Sequence, residues 1–565
     1  MGKLMNFVSR SVLAIAIIFN IVAVAGAEPT EVSSFGELQG AISTGKTEIA
    51  IKNTINFTAN GPLINYDNIV ISGPSENAPG LLDGNNNYKF FMSGENAKNI
   101  SLNNLHLSNG NNKDEFAISN DGGAIHLNAG VVVSLEGLTF SNNQTRSRGG
   151  AIYSWGTDSD NKNSLNFTGK TTFDRNKTIG IIGSNGGAVF VINSMLTFGE
   201  GPATFKGNSS RGNGGAIYAE DSSLIFGKAT FKNNSSADSG GAIYGGNGTK
   251  LIFGENVTFT ENSSVGNGGA IYFSGKNATN KNILKFEGNA SFVENSTAVN
   301  GNGKGGAISV IYSSLTFGGL AIFKNNSSAN AGGAIYGDNG TELTFCVDVT
   351  FTGNSSFRNG GAIYSWGFGA TNKNILEFRG NAIFARNSTS EDGNGDGGAI
   401  SVIYSSLTFG GLATFENNRA RCGGAIFAYS SASIEFNNGL LLIENTTKRA
   451  DSGAIDMIGS SENEPIIITI IQRNPAVPTE FSGNKSGGGD GHNAVYMTKY
   501  SQLNLTAHDG SIDIFDVFSG DRNEPDNIIT INRDNGWVNI EKGGSLENVK
   551  VVNRGNLKLA GESRG

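Results

Sequence analysis

The chain has 565 residues, 81 of them Gly, with 16% charged residues and a formal net charge of -8. That balance argues against nucleic acid or an anionic membrane as the main partner. The length would ordinarily imply several domains, but a stacked repeat grows linearly and need not divide.

Residues 1–27 read as a secretory signal: Lys3 and Arg10 open it, 12–24 are apolar apart from Asn20, and Ala25-Gly26-Ala27 is a small-residue cleavage site. A membrane anchor is the alternative, and the apolar run falls short of the ~20 residues a span needs. Next, residues 33–43 are predicted as a short capping helix. Ser34 and Glu37 form a capping box, and Phe35, Leu38 and Ile42 share one face. Such a cap covers the first coil and blocks edge pairing. Residues 48–57, 68–72 and 99–107 read as strands of early, degenerate coils.

From Gly122 onward four residues recur, Gly-Gly-Ala-Ile, at Gly122, Gly149, Gly214, Gly240, Gly268, Gly305, Gly332, Gly360, Gly397 and Gly423, with a Val version at Gly186. A decayed copy, Ser452-Gly453-Ala454-Ile455, follows. Subtracting positions, the repeat is 26 to 28 residues long, stretched to 37 in three places. A second signature, Phe-x-x-Asn, is locked to the first: Phe205…Asn208, Phe231…Asn234, Phe259…Asn262, Phe323…Asn326, Phe351…Asn354 and Phe415…Asn418. Within one unit, 240–244, 250–253 and 257–259 are short apolar runs separated by Gly/Asn turns. Three short strands per unit, with equivalents one unit apart, predict an all-β parallel β-helix whose coils stack ~4.8 Å apart. Ile then lies on Ile and Phe on Phe. The glycine pairs (Gly214 and Gly215 before Ala216 and Ile217, Gly240 and Gly241, Gly268 and Gly269, Gly360 and Gly361) make a corner that a Cβ would block. The Asn residues suit a turn through left-handed φ and can also bond up the column as a ladder.

The regular array is predicted over 122–456. Residues 28–121 form the cap and degenerate coils, and 457–565 a degenerate C-terminal β-helix segment in which the signature fades, with Phe481…Asn484 and Asn493-Ala494-Val495 as remnants. Residues 465–472, Ile-rich, are too short to cross a bilayer and read as a buried strand. Three coils are enlarged. Each carries an insertion after the first strand (154–163, 274–282, 365–374) and a longer turn before the next Gly-Gly (177–185, 296–304, 388–396). Segments 305–321 and 397–413 are identical, so a 92-residue block, Gly268 to Gly360, was itself copied. Cys346 and Cys422 fall two to three coils apart, beyond the about 7 Å a disulfide tolerates, and are read as unpaired.

Repeated Gly-Gly-Ala-Ile with Phe-x-x-Asn behind a signal segment resembles the polymorphic outer membrane proteins best known from chlamydiae. Segment 502–519 looks like the segment that follows the repeats in that family, and 556–561 like the later strands of autotransporter passengers. The resemblance implies a right-handed β-helix, exported through the inner membrane to the outer membrane, the cell surface or the extracellular space, and acting as an adhesin. It implies a host or neighbouring-cell surface protein or glycan as partner; unprotected β-helix ends, which could pair edge to edge, add self-association as a further one. The family ends in a translocating barrel, which the sequence to Gly565 does not contain, so outer-membrane anchoring is expected only if a barrel is supplied elsewhere.

Parallel β-helices also carry polysaccharide lyases and hydrolases, so an enzyme is the alternative, and a self-associating envelope protein a second. Paired carboxylates for glycosidic chemistry are missing, and His106, His126, His492 and His508 lack ligand spacing. No catalytic residue, metal or cofactor is assigned. Asp392 to Gly397 imitates the start of a calcium loop, but its twelfth position is Ile403 rather than Glu, and an ordinary turn is the preferred reading. Gly487 to Gly491 hints at a calcium repeat in a single copy. The enlarged insertions are the candidate partner-binding loops, with Trp155, Asp158, Lys276, Asn277, Trp366, Phe368 and Lys373 as contact residues. For Trp155 and Trp366, folding back onto the coil is the competing reading.

Overall fold

The repeat that begins at Gly214 shows how a coil is made. Gly214 has φ +68°, and a Cβ there would lie 2.2 Å from the Ile217 carbonyl oxygen; one on Gly215 would lie 2.0 Å from the Gly241 oxygen of the next coil. The corner therefore admits two glycines and nothing larger. Ile217–Glu220 is the first strand, Ser223–Phe226 the second and Ala229–Lys232 the third. All pair in parallel with their counterparts one repeat on, Ile217 against Ile243, Phe226 against Phe253 and Phe231 against Phe259.

A computed structural model describes residues 28–559 apart from 112–120, 159, 182, 278, 300, 370–371, 391–393, 488–490, 492, 522–526 and 533. The signal segment lies outside these residues. The described chain is an all-β parallel solenoid of about 16 turns with a single helix. Its second strands form a 19-stranded sheet. Beyond the three expected strands, each regular coil adds a fourth of two residues. Ser235–Ser236 is one, and together these make an 11-stranded ladder.

Inside the tube two Phe columns run side by side. Within a column the rings stack, as Phe231 on Phe259 at 4.8 Å and 5°; between columns they meet edge-on, as Phe231 and Phe253 at 87°. Both arrangements suit the ring quadrupole. The helix Phe35–Ser43 closes the N-terminal end. Glu37 N–H donates to Ser34 Oγ at 3.3 Å, and the Glu37 carboxylate accepts from Ser33 N–H at 2.7 Å. Leu38 and Ile42 are buried, and Phe35 packs 4.8 Å from Phe57.

Two expectations need correction. The left-handed residue is not the Asn of Phe-x-x-Asn but the one before it: Asn233, Glu261, Asn325 and Gly353 all have positive φ. The runs 48–57 and 99–107 are each two strands, Glu48–Ile51 with Ile55–Asn56 and Asn99–Asn103 with Leu105–Ser108; Asn104, at φ 53°, makes the second corner. Beyond 456, where the signature fades, the chain goes on coiling. Ile466–Gln472 pairs with Ser501–Ala507, and pairing continues to Asn556–Leu559.

Candidate functional site

The Asn of Phe-x-x-Asn is wholly buried and builds a ladder along the tube. Asn234 Nδ2 donates to Asn262 Oδ1 at 2.9 Å and to the Phe205 carbonyl at 3.0 Å, while its backbone N–H donates to the same Oδ1 at 3.0 Å. The pattern runs from Asn143 to Asn484, which donates to Asp516 Oδ2 at 2.9 and 2.8 Å. Asn208, Asn234, Asn262 and Asn354 are all 0% exposed. These residues, with Phe231, Phe259 and Phe351, form the buried frame of the tube.

The outward residues of the first strands form a second column. Tyr153, Phe190, Tyr218, Tyr244 and Tyr272 stack at 5.4, 4.9, 4.8 and 5.3 Å. Burial pushes the Tyr153 hydroxyl up to about 12 and those of Tyr218 and Tyr244 higher still. The duplicated segment places Ser309 and Ser401 in this column. Beside it, Lys304 Nζ donates to Tyr336 Oη at 2.9 Å, and Tyr336 donates to Asp338 Oδ2 at 2.7 Å. Burial lowers the Lys304 ammonium and raises the Asp338 carboxyl.

Trp155 and Trp366 flank this column, 40% and 39% exposed. Arg148 lies 5.3 Å from the Trp155 ring centre, and Lys304 lies 5.9 Å from that of Trp366. Each indole is thus half open and half laid against a cation. Seven coil steps separate them, about 34 Å at ~4.8 Å a step, so they do not meet in one site. Asp158 is consumed by its own loop, accepting from the backbone N–H groups of Asp160 and Asn161 at 2.8 and 3.0 Å, and these bonds hold its carboxyl below the usual range. Asn277 does the same for Thr279 and Asn280. Lys276 N–H donates to the Asn280 carbonyl at 3.3 Å, and Lys373 Nζ to the Ser431 carbonyl at 3.4 Å. Phe368 is 69% exposed.

The concave feature lies at the other edge of the first sheet, along the fourth ladder. A groove of about 450 Å³ has Ser209, Ser235 and Ser263 on its floor. The long turn carrying Lys177 and Ile179 lines one end; the one carrying Ser296 and Ala298 lines the other. Arg211 lines the cationic end and Val265 the apolar end. Ser210, Ser236 and Ser264 hold their turns through bonds to the carbonyls of Gly212, Asp238 and Gly266 at 2.9, 3.2 and 3.0 Å. On the flanking turns, Ile181 and Val299 are each 90% exposed. The volume falls within the ~300–1,000 Å³ of small-ligand pockets. Sequence reasoning found the long turns but not the groove, because its floor is assembled from residues a repeat apart.

The Asp392 turn and the Gly487 to Gly491 segment fall partly outside the described residues. Asp396 is held by Arg421, whose Nε and Nη2 donate to it at 3.1 and 3.0 Å. Among the described residues no group of three or more His, Cys, Asp or Glu stands close enough to share a metal ion. Cys346 and Cys422 are both free thiols. No described helix is long and apolar enough to cross a membrane.

The Chlamydia polymorphic membrane protein (Chlamydia_PMP) repeat matches residues 137–154, 202–220, 228–246, 256–274, 321–338, 348–365 and 413–429. Each match runs from a third strand through the ladder Asn and the glycine corner into the next first strand. The three long turns fall between matches. No curated protein and no solved structure matches the chain. The chain thus carries seven such repeats wound into one parallel solenoid, an arrangement consistent with a Pmp-type repeat protein.

Proposed function

We propose that the protein is an exported, non-enzymatic passenger that acts as an adhesin, holding a host or neighbouring-cell surface protein or glycan against its long turns. The repeat family and the β-helix fold fit an adhesin-like passenger. The observation that carries the reading is the groove itself. Two enlarged turns contribute Lys177 and Ile179 at one end, Ser296 and Ala298 at the other, of a hydroxyl-lined floor that also carries Arg211, and the same turns expose Ile181 and Val299. An exposed apolar tip beside a polar floor is the mix that anchors and orients a partner.

The test is binding of the purified protein to cells. Ser235→Trp fills the groove from its floor and Arg211→Glu reverses its cationic end; each is expected to lower binding about tenfold, the worth of one or two good contacts, with an unchanged circular dichroism spectrum. Replacing residues 365–374 by a short turn measures what the insertion adds. Binding that survives groove filling, charge reversal and trimming together overturns the proposal.

A further inference from the structure

The second sheet carries a regularity unrelated to the groove. Four large apolar side chains stand on its outer surface: Met195, Ile283, Ile375 and Ile467, with exposures of 38, 43, 50 and 36%. They lie in one column. Met195 leads through Ser223 and Lys250 to Ile283, and Ile283 through Ser314 and Glu342 to Ile375. Ile375 then leads through Ser406 and Ser433 to Ile467. The pegs therefore recur every third coil, about 14 Å apart at ~4.8 Å a coil, with small or charged residues between them.

We infer that this face pairs with the same face of a second copy, running antiparallel about a two-fold axis between Ile283 and Ser314. In that register Ile283 of each chain meets Ser314 of the other, Ile375 meets Ser223, and Met195 meets Ser406. Lys250 meets Glu342, twice by symmetry. A two-fold contact must be self-complementary, and from Met195 to Ser406 the column satisfies this in the register given. A slip of one coil one way sets Ile283 on Ile283 and Met195 on Ile375, holding the sheets apart. The opposite slip sets Lys250 on Ile375 and Ile283 on Glu342.

The extent is also adequate. In that register Ile467 falls on Val132, so the fitted stretch runs from Met195 to Ser406: seven steps, about 34 Å, by ~16 Å for a five-residue strand, or ~540 Å² a side, which just clears the ~1,000 Å² total of a specific interface. Sheets packed face to face sit ~10 Å apart, which an Ile reaching over a Ser fills. Glu342 already accepts from Lys281 Nζ at 2.9 Å within its own chain. The second lysine therefore joins an existing pair rather than a bare carboxylate.

Sedimentation equilibrium of the purified full chain tests this. A concentration-dependent dimer is expected. Lys250→Glu places like charges opposite one another at both symmetric positions and is expected to raise the dimer dissociation constant roughly tenfold or more. Glu342→Lys in the same chain restores the opposite-charge pairing and the dimer. Ile375→Glu breaks the contact without touching that pair, and thermal melts show that each variant is folded. A chain that stays monomeric, a dimer indifferent to Lys250→Glu and Ile375→Glu, or a failure of Glu342→Lys to rescue overturns the inference.

Discussion

Asn326 accepts from the backbone N–H and Nδ2 of Asn295 at 3.0 Å each, and donates to the Phe292 carbonyl at 2.9 Å and to Asn354 Oδ1 at 3.0 Å. It is buried and fully used, so it must both give and take. A carboxylate in its place could only take. Asn326→Asp is expected to lower stability by about 2–4 kcal/mol, at roughly 1–3 kcal/mol for each buried group left unpaired, read as a shifted urea midpoint. At the end of the ladder the requirement is different, since Asp516 accepts two bonds from Asn484. A side-chain amide there keeps a carbonyl for that purpose, and Asp516→Asn is expected to cost under about 1 kcal/mol. Equal losses at the two positions would refute the ladder as the reason for Asn. Asp456 is a second residue set by burial. Desolvation pushes its carboxyl up to about 7, although the Gly453 N–H at 2.6 Å and Ser452 Oγ at 2.7 Å oppose the shift. In the unfolded chain it titrates near ~3.9. Between these values the native chain keeps a proton that the unfolded chain has lost. Its contribution is therefore fully present below about 4 and is lost as pH rises through 7, by on the order of 4 kcal/mol at ~1.4 kcal/mol per unit. Asp456→Asn should flatten that slope in urea melts taken from pH 4 to 8. A slope common to both chains would locate the titration elsewhere.

At the scale of the strand, what the sequence disclosed depended on which residues repeat and which vary. The first three strands alternate apolar and polar residues and recur at one spacing, so their existence and their parallel pairing could be read directly. Ser235–Ser236 has no apolar member, and a two-residue strand made of hydroxyls looks like a turn. The left-handed position was hidden for a related reason: Asn233, Glu261, Arg386 and Gly353 share it while differing in chemistry, whereas the Asn beside it recurs and drew attention. The capping helix was visible because a capping box and one apolar face sit within a single turn of chain. The site divides in the same way. Trp155 and Trp366 stood out as large residues in insertions, and the structure leaves each half open. Polar residues of the insertions, Asp158 in the first and Asn277 in the second, accept bonds within their own loops, as short polar side chains often do in turns. The groove required knowledge of what lies above and below, since Ser209, Ser235 and Ser263 become neighbours only when coils stack.

Along the whole tube each coil touches its two neighbours, so stability approximates a sum of coil terms and interface terms. A fault in the middle should then divide the stack. Gly361 is the place to introduce one. A Cβ there would lie 2.0 Å from the Gly398 oxygen and 2.7 Å from the backbone N of Ser388, and neither atom is free to retreat. Gly361→Val is expected to open the stack locally at a cost of several kcal/mol. The coils on either side should then melt as two units, giving two transitions in denaturant where the parent gives one. Gly123→Val supplies the control. Its Cβ would meet the Gly150 oxygen at 2.2 Å, a clash of the same kind near the N-terminal end, so only the short stretch before it should uncouple. Hydrogen exchange followed by mass spectrometry distinguishes the two. Protection should fall on both sides of residue 361 in the first variant and on residues 30–110 in the second. If both chains instead melted in one transition with protection lost evenly, coupling would reach from end to end of the tube, and the coils could not be treated as separable units.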